Sequence, residues 1–149
     1  MPSPSHAELL RRYRLKHGDL VKPNQGWDSL ADELHLAYSM GRKRGFTDLG
    51  TYVAKPGDHG GGPQGRKPPA WAFDLGRKNR FFFKGWGFLP ARRLARLYWK
   101  HHEALNIDYV ILGRRLISRA KPYWHPLTTG DTTHDFHIHV SGWWPAKDL

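Results

Sequence analysis

The sequence predicts an α+β fold, in which a small central antiparallel sheet is flanked by about three helices and residues 1–149 form one domain. Two of the three supporting observations are patterns. Helical periodicity of apolar residues occurs in the first third of the chain and again near residue 90, and short segments with strand-like alternation occur elsewhere. The third is composition: seven Trp, seven Phe and six Tyr can fill one core, and a chain of this length buries roughly 70% of its surface on folding.

Capping signals place the three helices. Ser5 has the spacing of a capping box with a glutamate three residues later, and Gly18 ends the apolar pattern that follows. A second helix is predicted from about residue 28 to residue 43, with His35 on its solvated side. Pro90 stands at the first turn of a third helix, where its missing N–H group costs nothing.

Strands are predicted where apolar and β-branched residues alternate with polar ones. They cover residues 51–54, 71–75, 107–112, 116–118 and 136–141. Between the first two runs lies a Gly- and Pro-rich stretch, GDHGGGPQGRKPPA, which is typical of an ordered loop. No repeat or linker divides the chain, so a single domain is expected.

Composition limits the chemistry and the partners. The net charge of +11 arises from 24 Lys and Arg against 13 Asp and Glu, and it attracts polyanions such as nucleic acid, an anionic cell-envelope polymer or an acidic membrane surface. Of these, an anionic cell-envelope polymer is the expected partner, and no specific nucleic acid is expected. Because the chain has no Cys, a transition metal would be bound by imidazole and carboxylate. The sequence shows neither a signal-peptide run nor a stretch able to span a bilayer, so a soluble monomer is expected.

The segment HDFHIHVSG near the carboxyl end carries the densest chemical signal. In a strand, His137 and His139 project from one face. Phe136, Ile138 and Val140 project from the other. Each imidazole brings two ring nitrogens that need partners, so packing does not explain two of them on one face. The alternation therefore predicts a core face and a face where two imidazoles share one small site.

Two further residues can complete a metal site. Asp74 alternates with Phe73 and Leu75, which aims a carboxylate at one face of a strand, and a metal ion would offset the cost of burying that charge. His59 lies in the Gly-rich loop, where the backbone can turn to bring it close. Catalytic zinc commonly has three protein ligands and a water. The alternative is that the H-x-H pair occupies a polar strand edge and that Asp74 is an exposed strand residue.

These residues resemble the LAS-type zinc peptidases, a family that includes D-alanyl-D-alanine carboxypeptidases, murein endopeptidases and phage endolysin peptidase domains. The family pattern is a His, a spacer, an Asp and a later H-x-H on a strand. Residues 107–142, with YVILGRRLIS followed by YWHPLTTGDTTHDFHIHVSG, are most similar to actinobacterial phage endolysins. The resemblance implies that Zn²⁺ is held by His59, Asp74 and His139.

The resemblance also implies roles for residues beside the metal. His137 is placed to act on the metal-bound water, and His134 lines the substrate cleft. Many relatives carry an Asp immediately before the H-x-H, whereas this chain has Phe136 there and Asp135 one step earlier. If that Asp is the general base in the relatives, either His137 takes this role here or Asp135 reaches into the site. The spacer of fourteen residues between the first His and the Asp is longer than usual, but a loop insertion adds little closure entropy, so the ligands can still meet.

The implied function is hydrolysis of an amide bond in the peptidoglycan stem peptide or cross-link. A catalytic core over about residues 49–149 would follow a helical part over about residues 1–48. Such an enzyme would be made in the host cytoplasm and would act on the cell wall after release. Two other classes of protein stay open. One is a metal-dependent nuclease, although the His-metal nuclease motif needs a further Asn and His on a helix. The other is a non-catalytic binding module with a closed, four-ligand metal site. Manganese or iron are alternatives to zinc.

Overall fold

The computed structural model describes residues 4–53, 57–60, 68–77, 85–127 and 136–143. Within these ranges three α-helices accompany a sheet of six antiparallel strands, which confirms the predicted α+β class. The helices are α1 (His6–His17), α2 (His35–Lys43) and α3 (Leu89–Lys100). The strands are β1 (Thr47–Gly50), β2 (Ala72–Gly76), β3 (Ile107–Leu112), β4 (Arg115–Ser118), β5 (His125–Pro126) and β6 (His137–Gly142).

Helix α1 begins and ends where the capping signals predict. The Ser5 Oγ accepts a hydrogen bond from the Glu8 N–H at 3.2 Å. Gly18, with φ 81°, follows the last helical residue, and glycine adopts this left-handed backbone without steric cost. Tyr13 is buried in the core and anchors the helix to the rest of the domain.

The helix predicted over residues 28–43 is only partly present. Helix α2 begins at His35, and two 3₁₀ turns take the place of the earlier part. The reason is a tertiary contact: Leu30 forms a parallel bridge with Ala70, and the Ala31 N–H donates to the Ala70 carbonyl at 2.9 Å. The prediction that His35 is solvated is also wrong, because the residue is buried and its Nε2 lies 2.8 Å from the Leu30 carbonyl oxygen.

The first strand also differs from the prediction. β1 ends at Gly50, and residues 51–53 of the predicted first strand are not in a strand. The N–H groups of Thr51 and Tyr52 donate instead to the side-chain oxygen of Gln25, at 3.0 and 2.9 Å. The other predicted strands agree with β2, β3, β4 and β6 to within one residue at each end, whereas β5 was not predicted.

The sheet has the order β1-β2-β6-β3-β4-β5, so the carboxyl-terminal strand β6 lies between β2 and β3. His139 on β6 is the register partner of Asp74 on β2 and of Ile111 on β3. This pairing aligns two polar residues that are 65 positions apart in the chain. The topology thereby positions the site.

One face of the sheet packs against the helices and forms the core. Its fully buried residues on β2 and β6 are Phe73, Leu75, Ile138 and Val140. The Phe73 ring lies 5.7 Å from the Tyr38 ring of α2 and 6.0 Å from the Tyr98 ring of α3. The predicted core face of β6 is therefore confirmed for Ile138 and Val140. Among the described residues, no helix is long and apolar enough to cross a membrane.

Candidate metal centre

Strand alternation and register bring Asp74 and His139 together on the face opposite the core. Their neighbours in β2 and β6 point to the helices, so the carboxylate and the imidazole share the other side of the sheet. The His139 Nδ1 lies 3.0 Å from the Asp74 Oδ1. This part of the predicted site is present as the alternation indicates.

His59 reaches the same place from a 3₁₀ turn, Asp58–Gly60, outside the sheet. The Trp71 N–H donates to the Asp58 carbonyl oxygen at 2.7 Å, which fixes the turn beside the start of β2. The His59 Nε2 lies 3.3 Å from the Asp74 Oδ2 and 3.3 Å from the His139 Nδ1. The long spacer therefore does not keep His59 away from Asp74.

The three residues form a group that can hold a metal ion. The ligand atoms of His59, Asp74 and His139 all lie within 4.8 Å of one another. Their side chains are 20%, 21% and 9% exposed, so His139 is enclosed while the other two border solvent. A divalent ion can reach these three residues from solvent. We call them the His-His-Asp group. The structure does not identify the ion.

The far ring nitrogens of both histidines have partners of their own. The His59 Nδ1 lies 2.7 Å from the Thr51 carbonyl oxygen and donates its proton there, which turns the lone pair of Nε2 towards the group. The His139 Nε2 lies 3.8 Å from the Asp58 Oδ2 on the side away from Asp74. Outer partners of this kind fix the ring orientation and the tautomer of metal-binding histidines.

Sequence reasoning missed Asp58 and the two residues that hold it. The Tyr109 hydroxyl and the Ser141 Oγ both donate to the Asp58 Oδ2, the latter at 2.7 Å. The Tyr109 ring also stacks on the His139 ring, with centroids 5.5 Å apart. Ser141 lies two residues after His139 and so shares its face, a signal that the alternation already contained. Nothing local in the sequence pointed to Tyr109.

The charges of the group shift its pKa values. Burial disfavours an imidazolium at His139, but the hydrogen bonds and charges of Asp58 and Asp74 outweigh it and raise the pKa of His139 to about 9. Burial raises the pKa of Asp74, yet His139 and His59 more than reverse this and hold that pKa well below its ordinary value. For Asp58 burial is likewise outweighed, chiefly by the hydrogen bond with His139, and the pKa falls to about 2. A metal ion that bound His139 would therefore displace a proton.

Of the remaining predicted residues, His137 and Phe136 lie within the described ranges. His137 projects from the same face as His139, as predicted, and its Nε2 lies 3.6 Å from the Asp74 Oδ1. His134 and Asp135 lie outside the described residues. Phe136, predicted to face the core, instead precedes β6 and is 39% exposed, so that prediction is wrong. The alternation begins only where strand pairing begins.

Comparison with protein-family models, with curated proteins and with solved structures gives no match for this chain.

Proposed function

We propose that this protein is a zinc-dependent peptidase that hydrolyses an amide bond in the peptidoglycan stem peptide or cross-link. The observation that carries the proposal is the His-His-Asp group, whose ligand atoms all lie within 4.8 Å of one another. Two imidazoles and one carboxylate are a ligand set of catalytic zinc, whereas magnesium and calcium prefer oxygen ligands.

The number and exposure of the ligands favour a catalytic site over a closed structural one. Structural zinc sites have four protein ligands. In the described part of the chain, the group of mutually close ligand atoms has three members. Because the side chains of His59 and Asp74 are 20% and 21% exposed, water and a substrate carbonyl can approach from their side.

The residues around the group have separate tasks in the proposed reaction. When bound, zinc supplies Lewis acidity, which lowers the pKa of a water and polarises a carbonyl. His137, whose side chain is 12% exposed, lies beside Asp74 and can take a proton from the attacking water and return it to the leaving amine. Asp58 and the Thr51 carbonyl hold the rings of His139 and His59 in place before substrate arrives.

The choice of substrate rests on the resemblance to the LAS-type zinc peptidases. That resemblance also supplies the proposed roles of His134 in the substrate cleft and of Asp135 near the general-base position. The unusual spacer is compatible with it, because the His59 Nε2 and the Asp74 Oδ2 are 3.3 Å apart despite the fourteen residues between them. The net charge of +11 would hold such an enzyme on an anionic cell envelope, where its substrate lies.

The test combines metal analysis with digestion of purified murein. Wild type, His139→Ala and Asp74→Ala are compared with His17→Ala, which removes an exposed histidine of α1. Wild type and His17→Ala should contain stoichiometric zinc and release peptide fragments, detected by mass spectrometry, in a chelator-sensitive way. The two ligand variants should lose both properties.

Three other outcomes would reject the proposal, and each would indicate a different alternative. If His139→Ala and Asp74→Ala cut murein at the wild-type rate, the metal has no part in the reaction. Chelator-sensitive cleavage of plasmid DNA, with murein untouched, would identify a nuclease. Stoichiometric zinc without cleavage of either substrate would indicate a non-catalytic module.

A further inference from the structure

A cluster of arginines around one tryptophan lies outside the His-His-Asp group. Trp86 occupies the short turn before α3. The guanidinium carbons of Arg92, Arg96 and Arg115 lie 6.0, 5.5 and 4.7 Å from the centroid of its ring. Trp124 packs against the same ring with centroids 4.9 Å apart. These five residues are called the Arg-Trp cluster.

Regular backbone structure holds the cluster in place. Two of its arginines are one turn apart on α3. Arg115 begins β4 and pairs with Pro126 of β5, which brings Trp124 alongside. A Cβ added at Gly113, in the β3–β4 turn, would lie 3.1 Å from the backbone nitrogen of Trp86, so the two turns pack backbone to backbone. The cluster is therefore preformed, and a ligand need not order it.

Within the described ranges, the three arginines of the cluster form no ion pair with a carboxylate. The ion pairs found there involve other cations, and none joins Arg92, Arg96 or Arg115 to an acidic residue. Guanidinium groups stay charged at every physiological pH, so the three repel one another. Arg96 and Arg115 are exposed. An anion that approaches from solvent would relieve this repulsion.

We propose that the Arg-Trp cluster binds a phosphodiester polymer that carries no bases, through its phosphate groups. One guanidinium group can donate two parallel hydrogen bonds to two oxygens of the same phosphate. Several arginines close together can therefore bind successive phosphates of a polymer. A single-stranded nucleic acid would instead need open aromatic faces on which its bases stack. The Trp86 ring is already contacted by three guanidinium groups and by Trp124. The binding site is independent of the proposed peptidase activity.

Two double variants of equal charge test the proposal with the full chain. Arg96→Gln with Arg115→Gln removes two exposed cations of the cluster. Arg93→Gln with Arg114→Gln removes the exposed neighbours of Arg92 and Arg115, which make no ring contact with Trp86 among the described residues. Linear poly(glycerol phosphate) is the probe, and its affinity is measured by calorimetry at an ionic strength of about 0.15 M, which screens distant charges. Duplex and single-stranded DNA with the same number of phosphates are measured in parallel.

The variant Arg96→Gln with Arg115→Gln should bind the polymer about tenfold more weakly than wild type. The control variant Arg93→Gln with Arg114→Gln should bind it less than about twofold more weakly. Circular dichroism should show the same fold for both, since all four side chains are exposed. Equal losses for the two pairs would mean that overall charge, not the cluster, attracts the polymer. Tighter, cluster-dependent binding of DNA would overturn the choice of a polymer without bases. Failure of the wild type to bind the polymer would overturn the site itself.

Discussion

Asp58→Asn removes one negative charge behind the His139 ring and keeps the size of the side chain. The Asp58 Oδ2 lies 3.8 Å from the His139 Nε2, and the side chain is 14% exposed. At that distance and an effective dielectric constant of about 20, two unit charges attract by about 4 kcal/mol, which is an upper limit. Loss of an outer partner of a metal-binding histidine typically lowers metal affinity about 10- to 100-fold, or about 1.4–2.7 kcal/mol. Above pH 9, where no proton competes with zinc for His139, zinc affinity should fall within this smaller range.

Competition with a chromophoric chelator measures the zinc affinity of wild type, Asp58→Asn and Asp32→Asn. Asp32 is a matched control, because its Oδ1 also lies 3.8 Å from a histidine nitrogen, the Nδ1 of His35, but its side chain is 96% exposed and outside the His-His-Asp group. Asp32→Asn should bind zinc as wild type does. Thermal unfolding without metal should show that Asp58→Asn is folded, since the Asn oxygen still accepts from Ser141.

Equal zinc affinity for all three proteins would show that Asp58 does not support the metal through His139. A loss in Asp32→Asn as large as that in Asp58→Asn would contradict this role as well, because the effect would then come from net charge. The ligand roles of the other residues would be untouched by either result.

Further predictions concern the metal site and the core. Because the pKa of His139 is raised to about 9, a proton occupies the ring at neutral pH and competes with zinc. From neutral pH upwards, zinc affinity should therefore rise about tenfold per pH unit until pH 9 and then level off. An affinity independent of pH would contradict this. Leu94→Ala empties a fully buried position and should lower the free energy of unfolding in urea by about 2–5 kcal/mol, whereas Leu15→Ala, at a position 75% exposed, should change it by less than about 0.5 kcal/mol. Gly41→Ala should lower the free energy of unfolding by about 1–3 kcal/mol in the same measurement, because the new Cβ would overlap a methyl carbon of Leu75; unchanged stability would show that the helix and the strand can move apart.

Local patterns in the sequence were sufficient for much of the sheet. Alternation in β2 and β6 predicted that Asp74 and His139 turn away from the core, and both do. Such a pattern is reliable because successive side chains of a strand must point to opposite faces, whatever its neighbours are. Capping placed α1 correctly for a similar reason, since the Ser5 side chain bonds within its own turn.

The errors arose where a distant segment competes for the backbone. Leu30 and Ala31 bond to Ala70, so the helix begins later than its periodicity indicates. Thr51 bonds to Gln25, so a segment with strand-like composition is not in a strand. Neither competitor can be found from a window of neighbouring residues, because each lies more than twenty positions away.

Residue types and strand period are local properties, and they were enough to identify which side chains could bind a metal. That His59 meets Asp74 across its long spacer, and that Asp58 and Tyr109 surround His139, became known from the folded chain alone. A metal site needs distances of a few ångströms between groups that are far apart in the chain. Those distances follow from the order of strands in the sheet and from the packing of the loop against it.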